Sequence, residues 1–269
     1  MIDLTEATFI IPIRIESSDR LRNVITTTAF LLEHIDTNII IKEVDSESIF
    51  QKDALPILKD ILDVDVNINH IFEQSNDSSF HRQKVLNEMI DKSSTKIVVN
   101  YDCDVILPLE SYKIAYDLIL DGECDVVYPY GQGMYQKQVL ATDEIVSEFL
   151  ETGDYSHLDN HSRLYTSDFG WVQFFNCQVY IDGGMENENF IAYAPEDKER
   201  FYRFSALGYN VGRVNNYVYH LEHLRGHNSW FNNPHMQNNN NIWEDIQKMN
   251  QNELKEYYSN QEYLKKYNG

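Results

Sequence analysis

The sequence is poor in cysteine and in basic residues. Its 269 residues include three cysteines, Cys103, Cys124 and Cys177, which are scattered and odd in number. We therefore expect no disulfide framework, and we expect the protein to be in a reducing compartment. Lys and Arg total 22 against 43 Asp and Glu, which gives a net charge of −21. That charge disfavours nucleic acids and anionic membrane surfaces as partners, but it does not exclude a nucleotide held through a bound cation.

Long apolar runs are also missing. No stretch approaches the ~18 apolar residues that a membrane-spanning helix needs, and residues 1–8 lack the basic and apolar regions of a secretory signal. We therefore expect a cytoplasmic protein, with peripheral attachment to the inner face of a membrane left open. A composition that is 42% hydrophobic and 13% aromatic predicts a globular chain with a substantial core.

Strands alternate with helices through the first half of the chain. The patterns predict strands at residues 8–14, 39–44, 66–72, 96–101 and 125–130, and helices at 19–34, 49–62, 80–91 and 109–120. Such alternation is typical of an α/β fold with a mainly parallel central sheet flanked by helices. In the second half we expect loops at 131–133 and 152–168, a strand at 169–176, a helix at 195–207, short strands within 210–220 and an amphipathic helix at 242–258.

The pair Asp102 and Asp104 is the most informative feature. The two carboxylates flank Cys103 directly after the apolar run 96–101, which places them at the carboxyl end of a strand. Open α/β sheets bind ligands at that edge, and carboxylate oxygens suit Mg²⁺ or Mn²⁺ bridging a diphosphate. An ordinary turn or helix cap at a strand end would give the same residue types.

Two further clusters could contact a nucleotide. Pro12 and Arg14 close the first strand, where a proline ends or bulges the ladder and an arginine can pair with a phosphate or stack on a base. Phe80 and Arg82 open a helix, whose N-terminus favours anions, and together they could enclose a base. The structural alternatives are a surface ion pair for Arg14, a core position for Phe80 and a solvated position for Arg82.

A pair of acids opens a helix in the second half. Glu196 and Asp197 follow Pro195 in the predicted helix 195–207. Acidic residues in a first turn are commonly capping residues, because the helix dipole favours negative charge there. Facing a metal and nucleotide site, the same pair could supply a general base.

Four of the nine histidines fall within sixteen positions, at His220, His223, His227 and His235. The His-x-x-His spacing of the first two brings the imidazoles near each other in a helical turn or a tight loop. Neutral imidazole beside carboxylates suits Mn²⁺ or Zn²⁺ better than Mg²⁺. No His-Glu-x-x-His motif occurs, because Leu224 occupies the glutamate position between His223 and His227, and this argues against a metallohydrolase.

In this order the clusters resemble the GT-A nucleotide-sugar glycosyltransferases, most closely the inverting β-1,4-galactosyltransferase branch with its bacterial capsule and chondroitin-type relatives. The resemblance covers residues 9–223. Its strongest part is 80–108, where FHRQKVLN and VVNYDCDVILP follow the family patterns Phe-x-Arg-x-Lys-x-Leu-Asn and Asp-x-Asp. IPIR at 11–14, the segment 183–197 and His-x-x-His at 220–223 match in register. The chain departs at Tyr193-Ala194-Pro195, where the family has Trp-Gly-Gly, and at Glu16, where an arginine is expected.

The resemblance implies a role for each matching residue. The residues that would hold uridine and diphosphate are Pro12, Arg14, Phe80 and Arg82, with Asp102 on the sugar or ribose side and Asp45 as a looser match. The residues that would hold the metal, Mn²⁺ or Mg²⁺, are Asp104, His220 and His223. Asp197 would be the catalytic base, and Glu196 would bind the acceptor or donor sugar.

The resemblance also implies the reaction: inverting transfer of a hexose or N-acetylhexosamine from a UDP-sugar to a glycan or lipid-linked glycan, in surface polysaccharide synthesis. We expect a transferase domain at 1–241, with a nucleotide-binding half at 1–130 and an acceptor and metal half at 131–241, and a helical tail at 242–269. The alternatives are an inactive transferase-like domain that binds carbohydrate or nucleotide, and a sugar-phosphate nucleotidyltransferase. The glycine-free segment 15–18 argues against the latter. The sequence does not identify which sugar is transferred or which acceptor molecule receives it.

Overall fold

The computed structural model describes residues 1–62, 66–193, 195–229 and 232–267. The α-helices in those residues are α1 (Ser18–His34), α2 (Leu55–Ile61), α3 (Arg82–Ile90), α4 (Leu109–Leu120), α5 (Asp143–Thr152), α6 (Ser156–Asp159), α7 (Cys177–Asp182), α8 (Glu196–Leu207), α9 (Met236–Ile246) and α10 (Gln251–Ser259). The strands are β1 (Ile2–Ile13), β2 (Ile35–Asp45), β3 (Asn69–Gln74), β4 (Ile97–Tyr101), β5 (Val105–Ile106), β6 (Val126–Tyr128), β7 (Gly133–Val139), β8 (Ser162–Ser167), β9 (Val172–Asn176), β10 (Val211–Arg213) and β11 (Val218–Leu221). A π-helical turn, Phe50–Ala54, runs into α2, and a 3-10 turn, Glu262–Lys266, follows α10.

Within the part of the chain that the structure describes, seven strands form the central sheet, in the order β10-β6-β9-β4-β1-β2-β3. β1 runs parallel to β2 and β4, β2 runs parallel to β3, and β10 runs parallel to β6. β9 lies antiparallel between β4 and β6. The inner strands are continuous apolar runs, with Phe9, Ile10 and Ile11 of β1 fully buried, because helices cover both faces of a parallel sheet. The predicted α/β architecture is confirmed.

The strand order reverses at β1, which creates the crevice that the site occupies. β2 and β3 follow β1 on one side, and β4 lies on its other side. Open α/β sheets bind ligands outside the carboxyl ends of the strands at such a reversal. β1 continues through Pro12 to Ile13, so the prediction that the strand ends or bulges at Pro12 is wrong. Pro12 is tolerated there because the pairing of β1 with β4 already stops at Ile10.

A second, four-stranded sheet has the order β5-β11-β7-β8. β11 is antiparallel to β5 and parallel to β7, and β7 is antiparallel to β8. The loop predicted at 131–133 is correct except for Gly133, which starts β7. The loop predicted at 152–168 is wrong, since that range includes the short helix α6 and the whole of β8. β8 escapes detection because it is an edge strand with four consecutive exposed residues, 163–166, and no apolar alternation.

Helix α8 carries the acid pair at its N-terminus. Glu196, Asp197 and Glu199 occupy its first turn, where the helix dipole favours negative charge, and Gly208 ends it in the left-handed conformation. The predicted helix at 195–207 is confirmed to within one residue. The single helix predicted at 242–258 is wrong, because α9 and α10 are separate. Asn250 starts α10 with a capping box.

Candidate active site

A cleft of about 620 Å³ opens at the carboxyl ends of β1 and β4. The structure brings ten of the eleven sequence-predicted site residues to this cleft: Pro12, Arg14, Phe80, Arg82, Asp102, Asp104, Glu196, Asp197, His220 and His223. Asp45 does not line it. At the end of β2, Asp45 Oδ1 accepts a hydrogen bond from Ser46 N at 2.7 Å, so the aspartate caps its own turn. The structure gives the Asp45 prediction no support.

Arg14 and Phe80 lie next to each other in the lining of the cleft. The guanidinium carbon of Arg14 lies 5.3 Å from the centre of the Phe80 ring. Arg14 Nε donates to Val44 O at 2.9 Å, and Nη1 donates to Ser78 O at 3.2 Å. Phe80 N donates to Asn228 Oδ1 at 2.8 Å. These contacts hold a cation and an aromatic ring side by side, a pair that suits a phosphate and a planar base.

Arg82 and Asp102, which both line the cleft, form an ion pair. Arg82 Nη2 lies 2.5 Å from Asp102 Oδ1, and Asp102 N donates to Trp171 O at 2.8 Å. Burial lowers the pKa of Arg82, but the carboxylates of Asp102 and Asp197 outweigh that effect and raise the pKa above its usual value. Among the described residues Arg82 Nη1 has no hydrogen-bond partner. That buried donor is available to an anionic ligand.

Asp104, His220 and His223 form a buried cluster whose ligand atoms all lie within 4.8 Å of one another. Asp104 Oδ2 is 3.1 Å from His223 Nε2 and 3.8 Å from His220 Nε2. The second sheet brings them together. Asp104 precedes β5, β5 pairs with β11, and Leu221 N of β11 donates to Asp104 O at 2.8 Å.

Both imidazoles are fixed through the nitrogen that faces away from Asp104. His220 Nδ1 lies 3.0 Å from Glu222 Oε1, and His223 Nδ1 lies 2.8 Å from Leu224 O. Because carboxylate and carbonyl oxygens only accept, each Nδ1 is the donor and each Nε2 faces Asp104, which is the orientation of metal-bound histidines. One carboxylate and two imidazoles suit Mn²⁺. The residues present therefore fit a divalent metal.

The two imidazoles also affect the charge of Asp104. Burial alone raises the pKa of the carboxyl, but His220 and His223, when they are protonated, outweigh it through their charges and a hydrogen bond from His223, and hold the pKa below its usual value. Asp104 is therefore ionised at neutral pH, the form that binds metal. His227 is exposed and lies outside the cluster that the described residues form.

Asp197 is held on one side by a buried arginine. Arg200 Nη1 donates to Asp197 Oδ1 at 2.8 Å and to Gln173 Oε1 at 3.1 Å. Arg200 Nε and Nη2 each donate to a carboxylate oxygen of Glu186 at 2.7 Å. This bidentate pair fixes the guanidinium, and the guanidinium fixes Asp197.

Glu196 lies beside Asp197 and is buried. Burial, together with the charge of Asp197, raises the pKa of Glu196 well above its usual value. Within the described residues Glu196 Oε2 has no hydrogen-bond partner. A buried carboxyl oxygen that lines a cleft without a partner is a group that a ligand hydroxyl can satisfy.

The loop between β8 and β9 has unusual backbone conformations next to these acids. Gly170 has φ 100° and Trp171 has φ 53°, a value that bulky residues rarely adopt. Gly170 O accepts a hydrogen bond from Tyr130 Oη at 2.7 Å, and Trp171 O accepts one from Asp102 N at 2.8 Å. Both residues line the cleft. Backbone strain of this kind is concentrated at ligand sites.

Sequence reasoning missed Glu222 and Arg200 as parts of the site. Glu222 lies between the two histidines, and Arg200 lies three residues after Asp197, so local spacing is a usable signal for both. Glu186, the partner of Arg200, is fourteen residues away along the chain and has no such signal. Tyr193, in the segment that departs from the family pattern, lines the cleft, and Ala194 lies outside the described residues. Among the described residues no helix is both long and apolar enough to cross a membrane.

No protein-family model and no curated protein matches this sequence, but solved structures do. The mannosyltransferase PcManGT from Pyrobaculum calidifontis, in complex with GDP-Man and Mn²⁺, aligns with a TM-score of 0.52 and 12% identity over 82% of this chain and 58% of its own. S. aureus TarS 1–349, in complex with UDP-GlcNAc, aligns with a TM-score of 0.50 and 14% identity over 82% of this chain and 60% of its own. This chain thus spans about three fifths of the length of either structure. The likeness establishes the fold: the chain has the GT-A fold of these glycosyltransferases, as the sequence predicts.

Proposed function

We propose that this protein is a metal-dependent glycosyltransferase that transfers a sugar from a UDP-sugar to a hydroxyl group of a glycan, with inversion at the anomeric carbon. The observation that carries the proposal is that one cleft is lined both by the cluster Asp104, His220 and His223 and by the acid pair Glu196 and Asp197. The two similar structures contain GDP-Man with Mn²⁺ and UDP-GlcNAc.

Four residues that line the cleft are proposed to bind the nucleotide. Phe80 and Arg14 offer a ring face and a planar cation to the base and the diphosphate, and Pro12 lines the same cleft. Arg82 uses the Nη1 that has no partner among the described residues to contact a phosphate oxygen, while Asp102 holds Nη2. The choice of uracil follows from the sequence resemblance.

Asp104, His220 and His223 are proposed to hold Mn²⁺ or Mg²⁺, with Glu222 and Leu224 O orienting the two imidazoles. A cation bound there supplies Lewis-acid neutralisation of the departing diphosphate. Arg82 adds a fixed positive charge in the same cleft, where negative charge develops.

Asp197 is proposed to be the general base. The acceptor oxygen forms a bond to the anomeric carbon of the donor as the bond from that carbon to the diphosphate oxygen breaks, and the hydroxyl proton passes to Asp197. Arg200 holds Oδ1, so Oδ2 is the oxygen that takes the proton. Glu196 contacts a sugar hydroxyl through its Oε2. One direct displacement inverts the anomeric configuration, so an α-linked donor gives a β-glycoside.

The wider setting is part of the same proposal. We assign the transferase domain to residues 1–241. We also assign the protein a role in surface polysaccharide synthesis, in which the acceptor is a glycan or a lipid-linked glycan. The reaction would take place in the cytoplasm or at the inner face of a membrane. α9 and α10 pack on α8 through a small apolar cluster that includes Phe190, Ile246, Leu254 and Tyr258. The tail at 242–269, which contains the second half of α9 and all of α10, therefore supports the helix that carries Asp197.

The experiment is a UDP-release assay on a panel of UDP-sugars with Mn²⁺, comparing wild type with Asp197→Asn. Loss of a general base lowers the rate by roughly 10²- to 10⁴-fold, and UDP binding should remain. Asp121→Asn, which removes the same charge at the exposed end of α4, is the matched control. No UDP release from any donor by wild type, or an Asp197→Asn rate equal to that of the control, would overturn the proposal.

A further inference from the structure

Arginine is unevenly distributed over this acidic chain. Five of its nine arginines line the cleft, at Arg14, Arg20, Arg82, Arg163 and Arg225, and none of its thirteen lysines does. Arginine is the residue that binds carboxylates and phosphates through two parallel hydrogen bonds, so this selection points to anion recognition in the cleft.

Two of the five are not accounted for by the proposed donor site. Arg14 and Arg82 are assigned to the nucleotide, and Arg20 lies 3.7 Å from the carboxylate of Glu16. Arg163 and Arg225 are exposed, and neither forms an ion pair with any carboxylate of the described residues. The charge of Arg225 helps to lower the pKa of Glu222, so Arg163 is the cleft arginine that this acidic chain leaves for an anionic ligand.

The register of the second sheet places Arg163 in the same cross-strand row as His220, a histidine of the proposed metal site. His220 of β11 pairs with Gln138 of β7, and Gln138 pairs with Arg163 of β8. Arg163 Nε donates to Gln138 Oε1 at 2.9 Å. The next row on the cleft side contains Gln136 opposite Tyr165. Because neighbouring strands are about 4.8 Å apart, the Arg163 backbone lies roughly 10 Å from that of His220.

The chain also connects Arg163 to the proposed base. From Arg163 it runs along β8 and through the loop to Gly170, whose Cβ position faces Asp197, and Tyr165 lines the cleft along the way. β8 rises about 3.3 Å per residue, so the backbone of Arg163 lies roughly 13 Å from Ser167, where the strand ends. Arg163 therefore lies at the end of β8 that is farther along the chain from the loop beside Asp197, a position that suits an anionic group farther along an oligosaccharide.

We propose that the cleft face of β7 and β8 binds the acceptor, and that the acceptor is an anionic glycan whose carboxylate or phosphate pairs with Arg163. This inference rests on the proposed function. Gln138 orients the guanidinium by accepting from Nε, which leaves Nη1 and Nη2 for the anion. Tyr165, 46% exposed, offers its ring to a sugar, and Gln136 offers an amide to sugar hydroxyls.

The test measures binding of small probes to enzyme already saturated with UDP and Mg²⁺, so that the diphosphate site cannot take the anion. The probes are methyl β-glucuronide, glucose 6-phosphate and neutral methyl β-glucoside, followed by saturation-transfer NMR titration. Wild type should bind at least one anionic probe more tightly than the neutral one, and the carboxylate and phosphate arms identify which anion is preferred.

Variants then locate the effect. Arg163→Gln should weaken binding of the anionic probe about tenfold, since a charge-assisted hydrogen bond is lost, and should leave binding of the neutral probe unchanged. The affinity of Arg163→Lys for the anionic probe should lie between those of wild type and Arg163→Gln, because lysine keeps the positive charge but cannot donate two parallel hydrogen bonds. Lys255→Gln, an equal charge change on the exposed face of α10, should match wild type.

Each negative outcome has its own meaning. Equal affinity of wild type for the three probes, no detectable binding of either anionic probe, or an unchanged anion affinity in Arg163→Gln overturns the anionic acceptor. Calorimetry of UDP with Mg²⁺ is run first on the same samples. Failure of UDP to bind would instead remove the proposed function, and this inference with it.

Discussion

The absence of a side chain at Gly170 leaves room for Asp197. A Cβ on Gly170 would stand 2.8 Å from Asp197 Oδ2, while Arg200 Nη1 holds the other carboxylate oxygen at 2.8 Å. The proposed base is therefore fixed on one oxygen, and beside the other there is no room for a side chain at position 170. Gly170 also has φ 100°, which side chains other than glycine rarely adopt.

Gly170→Ala should lower turnover by at least about tenfold, because a displacement of the base by a fraction of an ångström is enough to misplace a proton transfer. Binding of UDP with Mn²⁺ should be preserved. Steady-state kinetics on the donor panel and calorimetry measure the two effects. Gly122→Ala is the control, since Gly122 has φ 72° but nothing within 4 Å of its Cβ position. Equal activity in the two variants would show that the contact with Asp197 has no catalytic consequence.

Glu222 should set the metal affinity through His220. Glu222→Ala removes the acceptor of the Nδ1 hydrogen bond and should weaken Mn²⁺ binding by roughly 10- to 100-fold, the usual effect of losing such a partner. Glu222→Gln retains an oxygen that can accept the hydrogen bond from His220 Nδ1, so its Mn²⁺ affinity should fall much less. Binding of Mn²⁺ alone, followed by electron paramagnetic resonance, is the measurement. If alanine and glutamine bind Mn²⁺ as tightly as wild type, Glu222 does not orient the imidazole.

The Glu186–Arg200 pair should make stability depend on pH in acid. Burial raises the pKa of Glu186, but Arg200 outweighs it and lowers the pKa from 4.5 to about 2. A lowered folded-state pKa stabilises the protein fully above the unfolded value, and that stabilisation is lost as pH falls from 4.5 towards 2. It amounts to about 3 kcal/mol, since one pKa unit corresponds to roughly 1.4 kcal/mol.

Urea unfolding of wild type and Glu186→Gln at pH 7, 5, 4 and 3 tests this expectation. The difference in free energy of unfolding between the two proteins should be largest above pH 5 and should shrink as the pH falls through 4 and 3. A difference that stays constant over this range would mean that Glu186 is not ionised in a stabilising pair.

The parts of the site that follow strands could be predicted from sequence. Pro12, Arg14, Asp102 and Asp104 come after or within apolar runs, and parallel topology brings the carboxyl ends of such strands to one edge. Such residues can be located along the sequence without knowing which strands are neighbours. The central sheet is as predicted, and these four residues line one cleft.

Contacts between distant segments could not be predicted in the same way. The bond from Leu221 N to Asp104 O, which sets the distance from Asp104 to the histidines, spans more than a hundred residues. β8 has exposed side chains and no periodic signal, so the second sheet and Arg163 were missed with it. The left-handed Trp171 is imposed by its tertiary surroundings, and the side chain itself disfavours that conformation.

Calorimetric binding of UDP in the presence and absence of Mn²⁺, on wild type and on Asp104→Ala, tests the central claim most directly. Asp121→Ala controls for loss of a carboxylate, and circular dichroism verifies folding of each variant. The account predicts UDP binding to wild type that requires Mn²⁺, that is retained in Asp121→Ala and that is lost in Asp104→Ala. UDP binding that is indifferent to Mn²⁺ and to Asp104, or no UDP binding with any divalent metal, would contradict it.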